Sequence, residues 1–319
     1  MILVTGGLGF IGSHTVRALL DRGEDVVVLQ RRPRPLPSFL DGPDAARIAV
    51  ESADVADRDA LLAVGRRHHV TGIVHLAGSF PWDTAPDTAV AATRTSLDGL
   101  LNVVEAAQRW GVRRLGLAST IGVYAGTALG APLREDAPLS LAAGPVSIPT
   151  FKKVGELLGG HLAHATGLDI VTYRISGTWG PLGHSDPFFA APALVHAAAR
   201  GAAPDLSHLA GPARAGDGLD LTYVKDTGRA LALLQLADTL NHRTYNVGSG
   251  RATTNAEVAR ALRAAVPDAR VDLPAGGEDA PRMVFDISRL TGDTGYRPEY
   301  GTERAAADYV AWLRAGNTA

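Results

Sequence analysis

A chain of 319 residues with 46% apolar and 20% charged residues has the composition of a folded globular protein and not of a disordered one. Its formal charge of −2, without any basic block, argues against a nucleic-acid or anionic-membrane partner. The absence of cysteine rules out disulfides, thiol catalysis and cysteine metal sites.

The opening "MILVTGG" reads as an apolar strand without a charged leader, so no signal peptide is expected. No uncharged apolar stretch approaches the roughly 18 to 20 residues that span a bilayer, and the expected location is cytoplasmic. "ILVTG" (2–6) predicts a buried strand and "FIGSHTVRALLDRG" (10–23) an amphipathic helix closed by Gly23. "DVVVLQ" (25–30) predicts a second strand, followed by the proline-broken "RRPRPLP". "RIAVESADV" (47–55) holds a third strand, "DRDALLAVGRRH" (57–68) a helix and "GIVHLAG" (72–78) a fourth strand. A long helix is expected over 87–109, a fifth strand over 113–119, a helix over 149–166 and a sixth strand over 169–175. Beyond 176 the pattern loosens into Gly/Pro-rich segments with two short helices, and "AGPARAGDG" (210–218) reads as a loop.

Alternating strands and helices predict an α/β, Rossmann-type doubly wound parallel sheet, with a smaller C-terminal α/β substrate lobe. The expected division is a dinucleotide-binding domain over 1–175, its sheet completed from within 220–250, and a mainly substrate-binding lobe over 176–319.

"TGGLGFIGSH" places Gly7, Gly9 and Gly12 in G-x-G-x-x-G spacing between strand and helix, and Gly6, Gly9 and Gly12 read equally as G-x-x-G-x-x-G. Such glycines let backbone N–H groups approach a pyrophosphate at the positive end of a helix. A carboxylate is usual about 20 residues on, where it grips the adenosine ribose. That position reads Gln30, followed by Arg31, Arg32 and Arg34, which suits the 2′-phosphate of NADP, with NAD as the alternative. Solvated loop charge is the other reading of these arginines.

Further stretches follow in order: Asp54-Val55, "VHLAG", "LASTIGVYAG", "KKVGE", "YRISGTWGP", "LDLTYVKDTGRAL" and "YNVGSG". Together with the glycine loop they resemble, over nearly the whole length, the extended short-chain dehydrogenase/reductases, specifically the NAD-dependent epimerase/dehydratase family. The resemblance implies that Phe10 and Ile11 of the fingerprint, Asp54 and Val55, then Leu76, Ala77 and Gly78, and later Ile175 and Thr178 border the cofactor. It makes Thr120 the catalytic hydroxyl with Ser119 beside it, and Lys152 the catalytic lysine that also holds the nicotinamide ribose. Ser79, Ile148, Gly177 and His184 are then expected around the substrate, with Thr120.

The departures fall on the substrate side. Ile148 occupies the position of the family's catalytic tyrosine, and no tyrosine occurs between Tyr124 and Tyr173 to replace it. Gly177 stands for an asparagine, Leu219 for a diphosphate-binding arginine and Ser96 for an asparagine. In the family the tyrosine is the general acid/base, its phenol acidified by nearby positive charge. Losing such a group typically costs about 10²- to 10⁴-fold in rate.

Three functions stay open. The first is an NAD(P)-dependent ketoreductase or dehydrogenase for a small or aromatic substrate that is not a sugar-nucleotide, its proton supplied by water, the substrate's own hydroxyl or a side chain such as His184. The second is a sugar epimerase or dehydratase with a substitute acid, and the third a redox-inert NADP-binding protein. Lys153 and His196 read as solvated or packing residues, and Tyr124 as structural or site-lining. His68-His69 and His161/His164 lack carboxylate partners at ligand spacing, so no metal is expected. The resemblance also implies a homodimer pairing helices 87–109 and 149–166; Val90, Leu97, Leu101 and Val104 follow a roughly helical period and either form its stripe or face the chain's own sheet.

Overall fold

The four residues of β1 (Ile2–Thr5) are all buried, and they alternate between two cores: Leu3 on one face of the sheet, Ile2 and Val4 on the other. In this computed structural model, which describes residues 1–78, 86–127, 132–142, 144, 146–183, 188–280 and 282–317, β1 is an interior strand of a parallel sheet. The other strands are β2 (Val26–Gln30), β3 (Ile48–Ser52), β4 (Gly72–His75), β5 (Arg114–Thr120), β6 (Ile170–Ile175) and, much later in the chain, an edge strand Thr244–Val247. The first half runs β3-β2-β1; the second continues β4-β5-β6 and ends on that late strand. The winding therefore reverses between β1 and β4, where the carboxyl ends of strands leave a crevice.

Helices α1 (Phe10–Leu20), α2 (Arg58–Arg67), α3 (Pro86–Trp110) and α4 (Ser147–Thr166) connect the strands. The apolar side of α1 packs with Val4, Val28 and Val74, while α2 and α3 close the other face through Leu61, Val64, Val103 and Val104 against Leu3, Val27 and Ile73. Burial of these aliphatic faces, at about 25 cal/mol per Å² of apolar surface, is what fixes the layers.

After β6 the chain forms β7 (Gly177–Trp179), α5 (Ala191–Arg200), β8 (Gly218–Tyr223) and α6 (Val224–Leu236). The late sheet strand is β9 (Thr244–Val247), followed by β10 (Ala252–Thr254), α7 (Asn255–Ala265), α8 (Ser288–Thr294) and α9 (Thr302–Arg314). Strands β10, β8 and β7 make a small sheet, parallel between β7 and β8 and antiparallel between β8 and β10. A separate core holds this region together, with Trp179, Tyr223, Leu194, Leu262 and Tyr309 at its centre.

Among the described residues five helices thus follow residue 176, where the sequence predicts two. Alanine makes up much of the buried face of α5 (Ala191, Ala193, Ala197, Ala198) and of α9 (Ala305, Ala306), and so small a side chain is a weak sequence signal of burial. No helix among the described residues is long and apolar enough to cross a membrane.

Candidate active site

The loop between β1 and α1 is built for close approach. Gly6 has φ +69, in the left-handed region that favours glycine, and its carbonyl accepts from Gly9 N at 2.9 Å. A Cβ on Gly12 would lie 2.1 Å from Gly6 O, so only glycine lets the first turn of α1 sit on the loop. Gly7 does not line the crevice; it packs under the loop against Val28 and the Val4 carbonyl.

From this loop a cleft of about 350 Å³ runs along the strand ends. Gln30, Arg31 and Arg32 line it at the end of β2, Asp54 and Val55 after β3, and Ala77 and Gly78 after β4. Arg31 Nη1 lies 3.9 Å from Asp54 Oδ2, a weak exposed pairing. Thr5 Oγ1 accepts from both Leu76 N and Ala77 N at 3.1 Å, which pins the end of β4 beside the glycine loop. Two buried polar atoms on the cleft wall, Gln30 Nε2 and the Ser96 hydroxyl oxygen, have no partner among the described residues. Leaving such groups alone costs about 1 to 3 kcal/mol each, so the cleft calls for a polar occupant. Glycine loop, orphaned amide and guanidinium groups together fit the phosphates and ribose of a dinucleotide.

Beyond Ser119 and Lys152 the cleft opens into a second cavity of about 1080 Å³. Phe10, Ile11, Gly12, Leu76, Thr120, Ile148, Ile175, Gly177 and Thr178 line this wider space. Lys152 borders both cavities, and so do Gly6, Gly9, Ala118 and Ser119. Its Nζ donates to the Ala118 carbonyl at 2.7 Å. Burial pushes the ammonium down to about 8, against the opposing pull of the Glu156 charge. Nearby, burial and the Lys152 charge push the His75 imidazole down to about 3, so it is neutral.

The neighbouring hydroxyls differ in what they have left to offer. Ser119 donates to Glu156 Oε1 at 2.5 Å, and Glu156 in turn takes a two-pronged ion pair from Arg174, with Nη2 to Oε2 at 2.7 Å. Ser119 is therefore committed to a buried structural pair. Thr120 Oγ1 accepts from Gly122 N at 3.2 Å, capping the 3₁₀ turn Ile121–Tyr124, which leaves its hydrogen available to an oxygen in the cavity. Tyr124 is structural: its buried hydroxyl accepts from Arg174 Nη1 at 2.7 Å and lies 2.9 Å from Asn246 Oδ1.

Ile148 stands one turn before Lys152 on α4 and presents an apolar wall to the wider cavity. Phe188, Phe189, Leu209 and Met283 add apolar surface from the smaller lobe. Sequence reasoning does not find these four, because they reach the site only through the packing of distant segments. Ser79 and His184 lie outside the described residues. His68 has a carboxylate partner after all, Glu51 Oε1 at 2.7 Å, because β3 brings that residue alongside; Arg67 shares the same carboxylate. Val104 is buried in the sheet core and cannot belong to an outward stripe on α3, whereas Val90 and Leu101 are exposed.

The chain is similar over nearly its full length to sugar-nucleotide epimerases and dehydratases. It is 30% identical to a dTDP-glucose 4,6-dehydratase of Actinoplanes sp., with 99% of this chain and 98% of that protein covered. It is 28% identical to a UDP-glucose 4-epimerase of Azospirillum brasilense, over 98% and 92% of the two chains. Among solved structures, the UDP-glucose 4-epimerase of Thermus thermophilus in complex with NAD superposes with a TM-score of 0.79 at 27% identity, covering 99% of each chain. The sequence signature of the NAD dependent epimerase/dehydratase family matches residues 2–248. A match of that extent, on a parallel sheet whose glycine loop, lysine and strand-end hydroxyls converge on one crevice, makes the chain a member of this enzyme family.

Proposed function

We propose that this protein is an NAD(P)-dependent oxidoreductase acting on a carbonyl or alcohol of an uncharged, largely apolar substrate, in a cytoplasmic homodimer. The nicotinamide supplies or accepts the hydride; the protein holds the substrate oxygen and excludes water. The observation that carries the reading is the wall of the wider cavity. Its cations among the described residues are Lys152 and Lys153, each donating to a backbone carbonyl, Ala118 and Ser140 respectively. A nucleoside diphosphate calls for cationic donors aimed at its phosphates, and guanidinium groups are the usual choice. Here Leu219, Ile148 and Met283 line the cavity instead.

Within this reading Lys152 holds the nicotinamide ribose, Thr120 orients the reacting oxygen, and Gln30 with Arg31 and Arg32 takes the adenosine end. Ser79 and His184 remain proposed as substrate neighbours on the strength of the sequence. The proposed dimer pairs α3 and α4, which carry exposed apolar residues on neighbouring surfaces: Val90 and Leu101 on one, Val154 and Leu157 on the other.

A second reading, a sugar-nucleotide epimerase or dehydratase with a substitute acid, is favoured by the names of the full-length relatives. One experiment separates the two. The purified protein is incubated with each cofactor and with aromatic and aliphatic ketones and alcohols, or with UDP- and dTDP-hexoses. Net change in nicotinamide absorbance with the first set supports the oxidoreductase. Conversion of a nucleotide sugar without net cofactor reduction overturns it, and inertness toward both leaves a cofactor-binding protein.

A further inference from the structure

Replacing the tyrosine with Ile148 leaves open which group moves the proton. Among the described residues that line the wider cavity, three side chains titrate: Lys152, Lys153 and Asp217. Lys153 Nζ is turned to the Ser140 carbonyl at 2.5 Å. The Asp217 carboxylate accepts from Arg214 N at 2.7 Å and lies against the Gly277 backbone, in the smaller lobe. Lys152 alone of the three also borders the dinucleotide cleft, so it stands at the seam where cofactor and substrate meet. The hydroxyls of Ser119, at that seam, and of Thr120, in the wider cavity, are too weakly acidic to supply a proton unaided.

We propose that Lys152 itself is the general acid and base of this protein. The inference rests on the oxidoreductase reading above. In alcohol oxidation the carbinol C–H bond breaks with its electron pair, which passes as hydride to the oxidised nicotinamide. The O–H bond breaks toward the Lys152 amine, which becomes ammonium, and the C=O bond forms. Reduction runs the same transfers backward, the ammonium giving its proton to the carbonyl oxygen. Thr120 hydrogen-bonds that oxygen throughout.

The surroundings suit the role. From its own helix Lys152 faces Glu156 and has Lys153 as neighbour; β4 contributes neutral His75, and β6 contributes Arg174, already paired with Glu156. Strand β5 offers the Ala118 carbonyl and the Ser119 hydroxyl, and α3 lines the cleft with Thr95 and Ser96, none of them charged. Burial sets the ammonium near 8, so amine and ammonium are both populated close to neutral pH, the condition for efficient proton transfer.

The chain has three lysines, Lys152, Lys153 and Lys225, so ε-¹³C-lysine NMR of the intact protein yields three titrations, assigned with Lys153→Arg and Lys225→Arg. One signal, absent from Lys152→Arg, is expected to titrate near 8. In Lys152→Arg, which keeps the cation but cannot release a proton, cofactor affinity by fluorescence should change less than about tenfold. At saturating cofactor its kcat should fall by about 10²- to 10⁴-fold, and the pH–rate limb near 8 should vanish. A Lys152 signal titrating near the ordinary lysine value of about 10.4 sinks the proposal, even if Lys152→Arg fails to fold. So does a limb that survives in Lys152→Arg and disappears in His184→Gln. Absence of turnover with every substrate, alongside a Lys152 titration near 8, overturns the oxidoreductase reading instead and takes the proton role with it.

Discussion

A Cβ on Gly177 would lie 2.8 Å from Leu219 Cδ1, so the leucine fills the space that a side chain at 177 needs. The two positions, 42 residues apart in sequence, are packed neighbours through the pairing of β7 with β8, where Gly177 is in register with Leu221. The two positions at which the resemblance implies an asparagine and an arginine are therefore adjacent in the fold. Gly177→Asn should destabilise the protein by about 1 to 3 kcal/mol through overpacking. Leu219→Ala in the same chain should recover much of that loss, giving a non-additive cycle. Thermal or denaturant unfolding of the four proteins measures it, and strict additivity would mean that the leucine yields without strain.

Cofactor choice is the next test. Arg31 and Arg32 line the adenosine end of the cleft, and the nearest carboxylate, Asp54, is 3.9 Å from Arg31. Gln30 Nε2 has no partner among the described residues and can donate to a ribose oxygen. NADP should therefore bind at least about tenfold more tightly than NAD, roughly 1.4 kcal/mol. Arg31→Ala with Arg32→Ala should abolish most of the difference and leave NAD affinity nearly unchanged. Equal affinities in the unaltered protein, by titration calorimetry, refute the preference.

The proposed dimer makes a separate demand. Leu157 on α4 is 66% exposed and Leu101 on α3 is 46% exposed, while Val104 on the same α3 is buried. Two-fold pairing of this surface would bury the first two in each subunit. The unaltered protein should run as a dimer in light scattering at micromolar concentration. Leu101→Glu with Leu157→Glu should give a monomer with unchanged helical content. A monomeric unaltered protein rejects the pairing.

Much of the main sheet is legible in the sequence, because β1, β2 and β4 are short apolar runs between turn residues and the glycine loop has one natural place between strand and helix. The extent of α4 is legible too: helix over 149–166 is predicted and Ser147–Thr166 is found. What escapes is whatever depends on distant packing. Glu51 beside His68, Phe189 and Met283 on the cavity wall, and the wedging of Gly177 against Leu219 leave no local pattern. Ser119 and Thr120 look alike in sequence. Only the contact of Ser119 with Glu156, against the capping bond of Thr120, separates a structural hydroxyl from one with a free hydrogen.

That distinction, together with the position of Ile148, gives the last prediction. Thr120 and Ile148 both line the wider cavity, but they should act at different stages of the reaction. If Thr120 hydrogen-bonds the reacting oxygen as charge develops on it, Thr120→Val removes an interaction strongest in the transition state. Turnover should fall by about tenfold or more, the effect of one hydrogen bond of about 1 to 2 kcal/mol, with cofactor affinity nearly unchanged. Ile148 offers only apolar contact, equal in ground and transition states. Ile148→Ala deletes three carbons from that wall, worth up to about 0.8 kcal/mol for each one that the substrate covers. KM for an apolar substrate should rise about five- to tenfold while kcat stays within about twofold. Steady-state kinetics on the two variants, with the same ketone or alcohol, reads the split directly. A fall in kcat for Ile148→Ala would assign the isoleucine to positioning. An unchanged KM with a lowered melting temperature would make it a packing residue of α4, and the apolar-substrate reading would lose its wall.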